Sequence, residues 1–481
     1  MAQFLTRDHQ AFYCGLNWAR NAEAINNNEA VTLQNCEYDV EDGALRTVDG
    51  IKVLMTLNIG DITSLYYDRT CDTFYFSCGN KLYSTTPKFE KYTELGTLTG
   101  TSRPHYTMFG TTCLIASGGT LQRISGNHEK LETIDGAPKA SSVTVRSGRA
   151  VVFSTDSDLL SYSAIGDAAS WKYDATHAQD TSQPQTVNVG YKDKGALVAV
   201  DFLSKVLLAY KEDGRAYKVV GEPGDSSFAV EPISQTAYCM SPDATVNIDS
   251  KSYYLGRSGF NSFIPTNDYG DIAPFQEGIN INGQLMRNMD KNCQLWHVPS
   301  RKQIWIKSQD VPLVYIYHYV PRYSDGRGAL TSRTLCYSVN DVCDCEYGTY
   351  IAYGNAIAVL DPTIDTDNGM QIVTSIVGAN RLASKHSILV MNRLVVTYNR
   401  IAGYALVTCG KKTKQIDLSA SMTSISDAWQ QIDESTEGIY AQDYSRSYRV
   451  GGGSNKSVQV ALTIPKGAIS LRQFDYEYLE V

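Results

Sequence analysis

Short apolar runs separated by turn residues recur six times between residues 65 and 317. Each copy has a first apolar run, a turn, a second run rich in aromatic residues, a further turn that usually contains glycine, and a third run. In the first copy, the runs are residues 65–67, 74–76 and 82–83. Its second turn is Gly79-Asn80, a dipeptide typical of hairpins. The pattern therefore predicts a series of antiparallel sheets.

The spacing of the copies indicates how these sheets are arranged. The most apolar run of each copy is marked by Phe76, Ile115, Phe153, Leu208, Tyr254 and Trp305. Successive markers are 39, 38, 55, 46 and 51 residues apart, and propeller blades repeat every ~40 to 50 residues. A small sheet cannot bury both faces alone, so successive sheets stack around an axis. We predict an all-β fold with a six-bladed β-propeller. Two stacked β-sandwiches remain the alternative, because no fourth strand is visible.

Strand-like runs also occur on both sides of the repeats. We predict an N-terminal β lead-in at residues 1–60, the propeller at 61–320, and a C-terminal β-rich platform or interface region at 321–481. The lead-in and the C-terminal part together form the additional β region. One short helix is predicted at residues 419–437, where apolar positions recur every three or four residues.

Composition argues against two classes of protein, sequence-specific readers of nucleic acid and membrane-spanning proteins. The net charge of -8 argues against a sequence-specific reader of nucleic acid, because affinity for phosphate depends on Lys and Arg. The chain has 32 Tyr against 13 Phe, which suits sheet surfaces and interfaces. Eleven dispersed cysteines predict synthesis in a reducing cytoplasm. No apolar run is long enough to cross a bilayer, so we expect no membrane insertion.

Catalytic and metal motifs are weak. Cys336, Cys343 and Cys345 lie close together but lack the paired spacing of zinc ligands, so we expect no metal and no cofactor. The seven histidines stand apart from any nucleophile motif such as GxSxG. The Asp-box of sialidase-like propellers is absent, because Gly166 precedes Asp167 and the spacing differs. We therefore expect a protein that is not an enzyme.

An ordered set of short phrases carries a family resemblance. The first phrase, residues 160–171, ends a strand in Ser and continues with Gly-Asp and Trp, as in a recurring phrase of phage structural proteins. The residues of the set are Ser163, Gly166, Asp167, Trp171, Gly221, Pro242, Gly256, Gly259 and Phe260. The set resembles the tail hub family of short-tailed phages (podoviruses), also called tail nozzle or packaged-DNA stabilisation proteins. The resemblance covers roughly residues 30–265. It departs from the family at Val48-Asp49, where Arg-Pro usually precedes the glycine.

The resemblance implies a structural protein of the virion tail, made in the cytoplasm of a bacterial host. Six subunits would form a ring below the portal and adaptor proteins, in contact with tail fibres, spikes or a needle. The ring would retain the packaged genome and conduct double-stranded DNA on ejection, without sequence-specific binding. The gate residues are not identified.

The phrase residues are expected to be structural. Gly166 and Asp167 make a turn, Gly256 and Gly259 permit a tight hairpin, and Trp171 is a buried side chain at a junction. Replacing a buried Trp171 by Ala is expected to cost about 3 kcal/mol or more. The alternative function is a glycan-binding or glycan-cleaving propeller. A cluster of carboxylates with Arg at one propeller mouth would favour it.

Overall fold

The structure is a computed structural model. It describes residues 5–41, 43–124, 128–177, 180–190, 193, 195–203, 206–266, 271–287, 289–383, 385, 387–400, 404–409, 412–417, 444–449, 454–464 and 470–480. Its main feature is a series of four-stranded antiparallel sheets. Each sheet is one blade, and its strands are numbered outwards from the central axis.

Blades 1 to 6 are each formed by strands consecutive in the chain. Blade 1 is Ile62–Asp68, Thr73–Cys78, Lys81–Thr85 and Tyr92–Thr97. Blade 2 is His105–Phe109, Thr112–Ala116, Gln122–Ile124 and Leu131–Thr133. Blade 3 is Ser142–Arg146, Arg149–Phe153, Leu159–Tyr162 and Gln185–Asn188. Blade 4 is Leu197–Leu203, Val206–Lys211, Ala216–Val220 and Ala229–Ser234. Blade 5 is Thr245–Ile248, Lys251–Gly256, Gly259–Pro265 and Ile272–Phe275. Blade 6 is Gln294–Val298, Gln303–Lys307, Leu313–His318 and Ala329–Thr334.

The β-propeller is confirmed, and each predicted copy forms one blade. All six marker residues lie in the second strand of their blades and are buried. The second strand is the most apolar because neighbouring blades cover both of its faces. The fourth strands are more exposed and more polar, as in Gln185–Asn188 and Ala229–Ser234. This explains why the sequence shows only three apolar runs in each copy.

The ring has seven blades rather than six. Blade 7 contains Asp341–Cys345, Gly348–Tyr353 and Ala356–Asp361, and its fourth strand is Gly50–Thr56 from the N-terminal part. This strand pairs antiparallel with Ala356–Asp361. Met55 of blade 7 and Phe74 of blade 1 belong to one buried cluster, which closes the ring. The six-copy pattern misses blade 7 because its first strand, Asp341–Cys345, contains two aspartates and is not an apolar run, while its fourth strand lies far away in the chain.

Neighbouring blades share apolar clusters around the whole ring. Trp305 of blade 6 and Ile351 of blade 7 pack in one cluster. Between blades 4 and 5, the rings of Tyr210 and Tyr254 have centroids 5.3 Å apart. A closed ring of this kind protects the sheet edges and leaves no place for two stacked sandwiches.

The additional β region, here called the platform, joins both ends of the chain. One platform sheet continues blade 6 outwards, through Thr32–Gln34, Thr374–Val377, Ser457–Ile464, Tyr404–Cys409 and Lys412–Asp417. Short strands flank it at Gly15–Leu16, Glu29–Ala30 and Arg381–Leu382. The second sheet runs through Tyr444–Arg449, Leu389–Arg400, Ser470–Glu480, Leu45–Thr47 and Cys36–Tyr38, with Leu5–Gln10 and Ser454–Asn455 paired at its sides. Thr366–Asp367 and Met370–Gln371 extend blade 7.

A buried ionic cluster fixes the platform to blade 6. Glu37 is 1 % exposed and accepts hydrogen bonds from Arg46 Nη2 at 2.7 Å, Arg301 Nη1 at 2.8 Å and Gln303 Nε2 at 2.8 Å. Arg301 also pairs with Asp49. This group of five residues, the joint, connects the lead-in to the second strand of blade 6.

Helices are few among the described residues. They are the α-helix Asn282–Arg287 and the 3₁₀-helices Ala175–His177 and Pro299–Arg301. Within the same residues, no helix has the length and apolar character needed to span a membrane. The helix predicted at 419–437 lies outside the described residues.

Candidate functional site at the propeller axis

The first family phrase forms a turn after the third strand of blade 3. Ala164 and Asp167 form a β-bridge around Gly166, whose φ is +75°. Asp167 Oδ1 accepts a hydrogen bond from Ala169 N at 2.8 Å. Ser163 is buried, and its hydroxyl accepts a hydrogen bond from Ala150 N at 2.9 Å. The phrase therefore shapes a turn that is anchored to its own blade.

Trp171 lies at the junction of blades 2 and 3. Its indole Nε1 donates to Ala168 O at 2.8 Å, and its ring packs against the cluster that contains Leu114 and Val152. The side chain is half-buried, so the expectation of a fully buried Trp171 is corrected. The ring covers part of this junction and remains partly exposed to solvent.

Gly221 lies between blades 3 and 4. Its φ is +71°, and an added Cβ would lie 2.9 Å from Ser227 O. Its carbonyl accepts a hydrogen bond from Arg146 Nη2 at 2.9 Å, and Arg146 Nε also pairs with Glu222 at 3.2 Å. The glycine thus lets a blade 4 carbonyl reach an arginine of blade 3.

Gly256 and Gly259 form the tight hairpin that joins the second and third strands of blade 5. They pair directly with one another, and Gly259 has a φ of +99°. A Cβ on Gly259 would lie 2.2 Å from the Asn282 side chain, whose Oδ1 accepts from Phe260 N at 3.0 Å. Phe260 is fully buried and contacts the Tyr317 ring of blade 6. These residues fix the junction of blades 5 and 6.

Pro242 has a different consequence, because it positions a charged residue. Ala244 N donates to Ser241 O at 3.1 Å, which closes a turn with Pro242 at its second position. The third position of this turn is Asp243, immediately before the inner strand of blade 5. The turn therefore presents the Asp243 carboxylate at the propeller axis.

Asp243 belongs to a cluster of three charged residues, here called the clasp. Arg103 Nη1 donates to Asp243 Oδ1, and Arg103 Nη2 donates to Asp341 Oδ1. The side chains of Arg103, Asp243 and Asp341 are 20 %, 14 % and 4 % exposed. Arg103 Nε also donates to Thr63 O of blade 1 at 3.2 Å. One guanidinium thus uses its three nitrogens to hold three different parts of the ring.

The clasp crosses the axis of the propeller. Arg103 precedes the inner strand of blade 2, Asp243 precedes that of blade 5, and Asp341 begins that of blade 7. In a ring of seven, blades 2 and 5 are separated by two blades on one side and by three on the other. They therefore face each other, and a bond between them closes this end of the axis.

The Asp341 carboxylate is fully engaged. Its Oδ1 also accepts from Trp296 Nε1 at 2.8 Å and from its neighbour Val342 N at 2.9 Å. Its Oδ2 accepts from Leu65 N at 2.6 Å. Leu65 N belongs to the inner strand of blade 1, which has no further strand beside it. Asp341 therefore satisfies a backbone donor that would otherwise lack a partner.

Electrostatics at the clasp are set by burial and by the single cation. Burial opposes ionisation of Asp243, yet its pKa is lowered because Arg103 and His105 lie beside it. Burial raises the pKa of Asp341, although Arg103 opposes the shift. Burial lowers the pKa of His105, whose Nε2 lies 3.2 Å from Asp243 Oδ1. The clasp is therefore an ion pair network in which both Asp341 oxygens and Asp243 Oδ1 already have partners.

Sequence reasoning missed the clasp residues. Arg103 and Asp243 are 140 residues apart, and Arg103 and Asp341 are 238 residues apart. The one available signal was the position of Asp243 directly after Pro242. Of the predicted phrase residues, the structure places Ser163, Gly166, Asp167 and Trp171 around one blade 3 turn and distributes the others over blades 4 and 5.

Comparison with known proteins gives likenesses in structure alone. No family model and no curated protein matches the chain. The β-propeller domain of Cps50 (Swd1) from Myceliophteria thermophila has a TM-score of 0.44 at 10% identity, covering 65% of this chain and 100% of that one. The N-terminal domain of Nup159 has a TM-score of 0.42 at 9% identity, covering 69% and 98%. PorZ of Porphyromonas gingivalis, a surface component of the type IX secretion system, has a TM-score of 0.41 at 11% identity; the match covers 82% of this chain and 48% of PorZ. The propeller assignment rests on the sheet pairing described above.

Proposed function

We propose that this chain is a structural subunit of a short-tailed phage tail, in the tail hub or nozzle position. The observation that supports this most is the ordered set of family phrases between residues 160 and 260. The structure gives these phrases scaffold roles, because they form turns and blade junctions. Such roles fit a protein whose task is assembly.

The clasp bears on how DNA would pass. An axis crossed by Arg103 and Asp243 offers no path for a duplex through one propeller. In the proposed assembly, the conduit is the opening at the centre of a ring of six subunits. Subunits that contact one another head to tail close into such a ring. The platform, built from both chain ends beside blade 6, provides a rigid surface for the portal and adaptor proteins.

The negative net charge of the chain supports a conduit through which DNA moves without binding tightly. Each phosphate neutralised by Lys or Arg adds affinity and slows movement along the duplex. A chain of net charge -8 repels a polyanion overall. Retention of the genome would then depend on steric closure by loops, with fibres, spikes or a needle completing the tail.

The test combines DNA binding with assembly. A fluorescent duplex is titrated with the purified chain at low and at physiological salt, and mass photometry follows oligomers with and without the portal and adaptor proteins of the same virus. We expect weak DNA binding and a ring that forms when the portal and adaptor proteins are present. Tight, steeply salt-dependent DNA binding by the monomer, or no association with the portal and adaptor proteins, would contradict the proposal.

One observation favours a second function, a glycan-binding or glycan-cleaving propeller. The clasp places an Arg with two carboxylates at one end of the axis, which is the arrangement expected for that class. However, the acid and base of a glycosidase need access to substrate, and Asp341 is 4 % exposed and already bonded to Arg103. A glycan array and a glycosidase assay on the intact chain test this function. Binding that Asp243→Asn abolishes would establish it over the tail proposal.

A further inference from the structure

A second cluster of reactive side chains lies between blades 1 and 2, separate from the clasp. Asp68 ends the inner strand of blade 1, Cys71 lies in the following turn, and His128 lies between the third and fourth strands of blade 2. One potential ligand atom from each residue lies within 4.8 Å of the others. Among the described residues, this is the one set of three His, Cys, Asp or Glu side chains that meets this distance.

The Asp68 carboxylate has one oxygen that could bind a cation. The residue is fully buried, and its Oδ1 accepts from Thr70 N at 2.8 Å and Thr70 Oγ1 at 2.6 Å. Its Oδ2 is buried, meets no hydrogen-bond donor among the described residues, and lies 3.9 Å from His128 Nδ1. A buried carboxylate oxygen without a partner is costly in free energy. A metal ion between Asp68 and His128 would satisfy it.

Solvent can reach the cluster. Cys71 and His128 line a cleft of about 580 Å³, whose wall also contains Thr73, Thr85 and Glu90. A hydrated ion can therefore reach the thiol and the imidazole from outside, and the cleft has room for a water ligand. Asp68 would close the site from the buried side.

The ligand types select the metal. Thiolate, imidazole and carboxylate together are the ligands of zinc, whereas calcium and magnesium prefer oxygen ligands alone. The Tyr75 hydroxyl lies 3.4 Å from Cys71 Sγ and 3.1 Å from His128 Nδ1. An ion bound through His128 Nδ1 would replace the second contact, and the Tyr75 hydroxyl would keep its hydrogen bond to the Cys71 sulfur, as outer partners of metal sites do.

We propose that Asp68, Cys71 and His128 form a zinc site that links blade 1 to blade 2, with water as the fourth ligand. On binding, the Cys71 sulfur releases its proton to solvent and forms the bond to zinc. Small movements of the half-buried Cys71 and His128 side chains would bring the three atoms to coordination distance. The proposal departs from the sequence expectation that the protein holds no metal.

The test uses cobalt as a spectroscopic substitute for zinc. The full chain is treated with a chelator, desalted, and titrated with Co²⁺ under reducing conditions. We expect about one ion per chain, the visible bands of tetrahedral cobalt, and a near-ultraviolet charge-transfer band from a thiolate ligand. Added zinc should displace the cobalt and raise the melting temperature by roughly 2 °C or more.

Two pairs of variants locate the site. Cys71→Ser should remove the thiolate band and weaken binding at least about tenfold, and His128→Gln should weaken it similarly. The matched controls Cys336→Ser and His177→Gln replace a half-buried cysteine and an exposed histidine elsewhere, and should leave the spectrum unchanged.

The cobalt titration of the wild-type chain tests the proposal even if a variant fails to fold. Absence of a thiolate band from the wild-type cobalt complex would overturn it. So would an unchanged spectrum in folded Cys71→Ser, checked by circular dichroism. These measurements are independent of the tail assembly, so either proposal can fail alone.

Discussion

The propeller and the platform are both made of β-strands, but the chain builds them in different ways. In blades 1 to 6, strands that follow one another in sequence pair with one another. In the platform, strands from the first fifty residues pair with strands beyond residue 370, as Leu5–Gln10 does with Ser470–Glu480. The first arrangement repeats a local unit, whereas the second depends on contacts between the chain ends.

The two regions depend on the same N-terminal residues for their stability. A blade can form from local hairpins, but its faces are covered only when the ring closes. Closure uses Gly50–Thr56, which lies only a few residues beyond the lead-in strands of the platform. The joint around Glu37 then holds the lead-in on blade 6. Propeller closure and platform docking are therefore linked through the same N-terminal residues.

The largest expected effect comes from separating the two regions at the joint. Glu37→Gln preserves the shape of the side chain but removes the charge that Arg46 and Arg301 share. Because this removes a buried charge that both arginines share and leaves Arg301 with Asp49 alone, we expect a loss of about 3 to 4 kcal/mol. The urea concentration at the midpoint of the first unfolding transition should fall, and hydrogen exchange should become faster in the lead-in strands.

The control for this variant is Glu94→Gln, which breaks an exposed pair with Lys81. It should change stability by less than about 0.5 kcal/mol. If Glu37→Gln behaves like this control, the joint does not couple the platform to the propeller.

A smaller effect is expected from opening the clasp, which belongs to the propeller alone. Arg103→Met leaves the buried Asp243 and Asp341 carboxylates without their cation, so we expect a loss of about 3 kcal/mol at neutral pH. The exposed Arg123→Met is the matched control, since Arg123 pairs with Glu132 on the surface. Thermal unfolding of the two variants gives the comparison.

The pH dependence identifies the cause. In the wild type, the lowered pKa of Asp243 contributes stability above its ordinary value of 3.8, and this is lost as pH falls through the folded pKa. In Arg103→Met, Asp341 is buried without a cation and its pKa rises, whereas Asp243 keeps His105 beside it. Protonation of Asp341 and of His105 therefore relieves the variant as the pH falls. The difference from wild type should narrow between about pH 7 and pH 4. A constant difference would show that lost packing is responsible.

The same contrast explains what the sequence could predict. Residues 62–334 repeat local hairpins, so six blades were visible from apolar runs and turn residues. The fourth strand of blade 7 pairs with residues about three hundred positions away, and no local pattern records such pairing. Likewise, the clasp depends on single residues brought together by ring closure. Pro242 was recognised, but its consequence for Asp243 required the fold.

The smallest expected effect tests one blade junction within the propeller. Trp171 is half-buried over the cluster between blades 2 and 3, and it keeps its indole hydrogen bond to Ala168 O. Because only part of the ring leaves water on folding, Trp171→Ala should cost about 1 to 2 kcal/mol. Tyr173→Ala, which removes a nearby side chain that is 51% exposed, should cost less than about 0.5 kcal/mol. Equal melting temperatures for the two variants would show that Trp171 does not stabilise the junction. A loss of about 3 kcal/mol or more would show that the ring is buried within the subunit, as the sequence predicted.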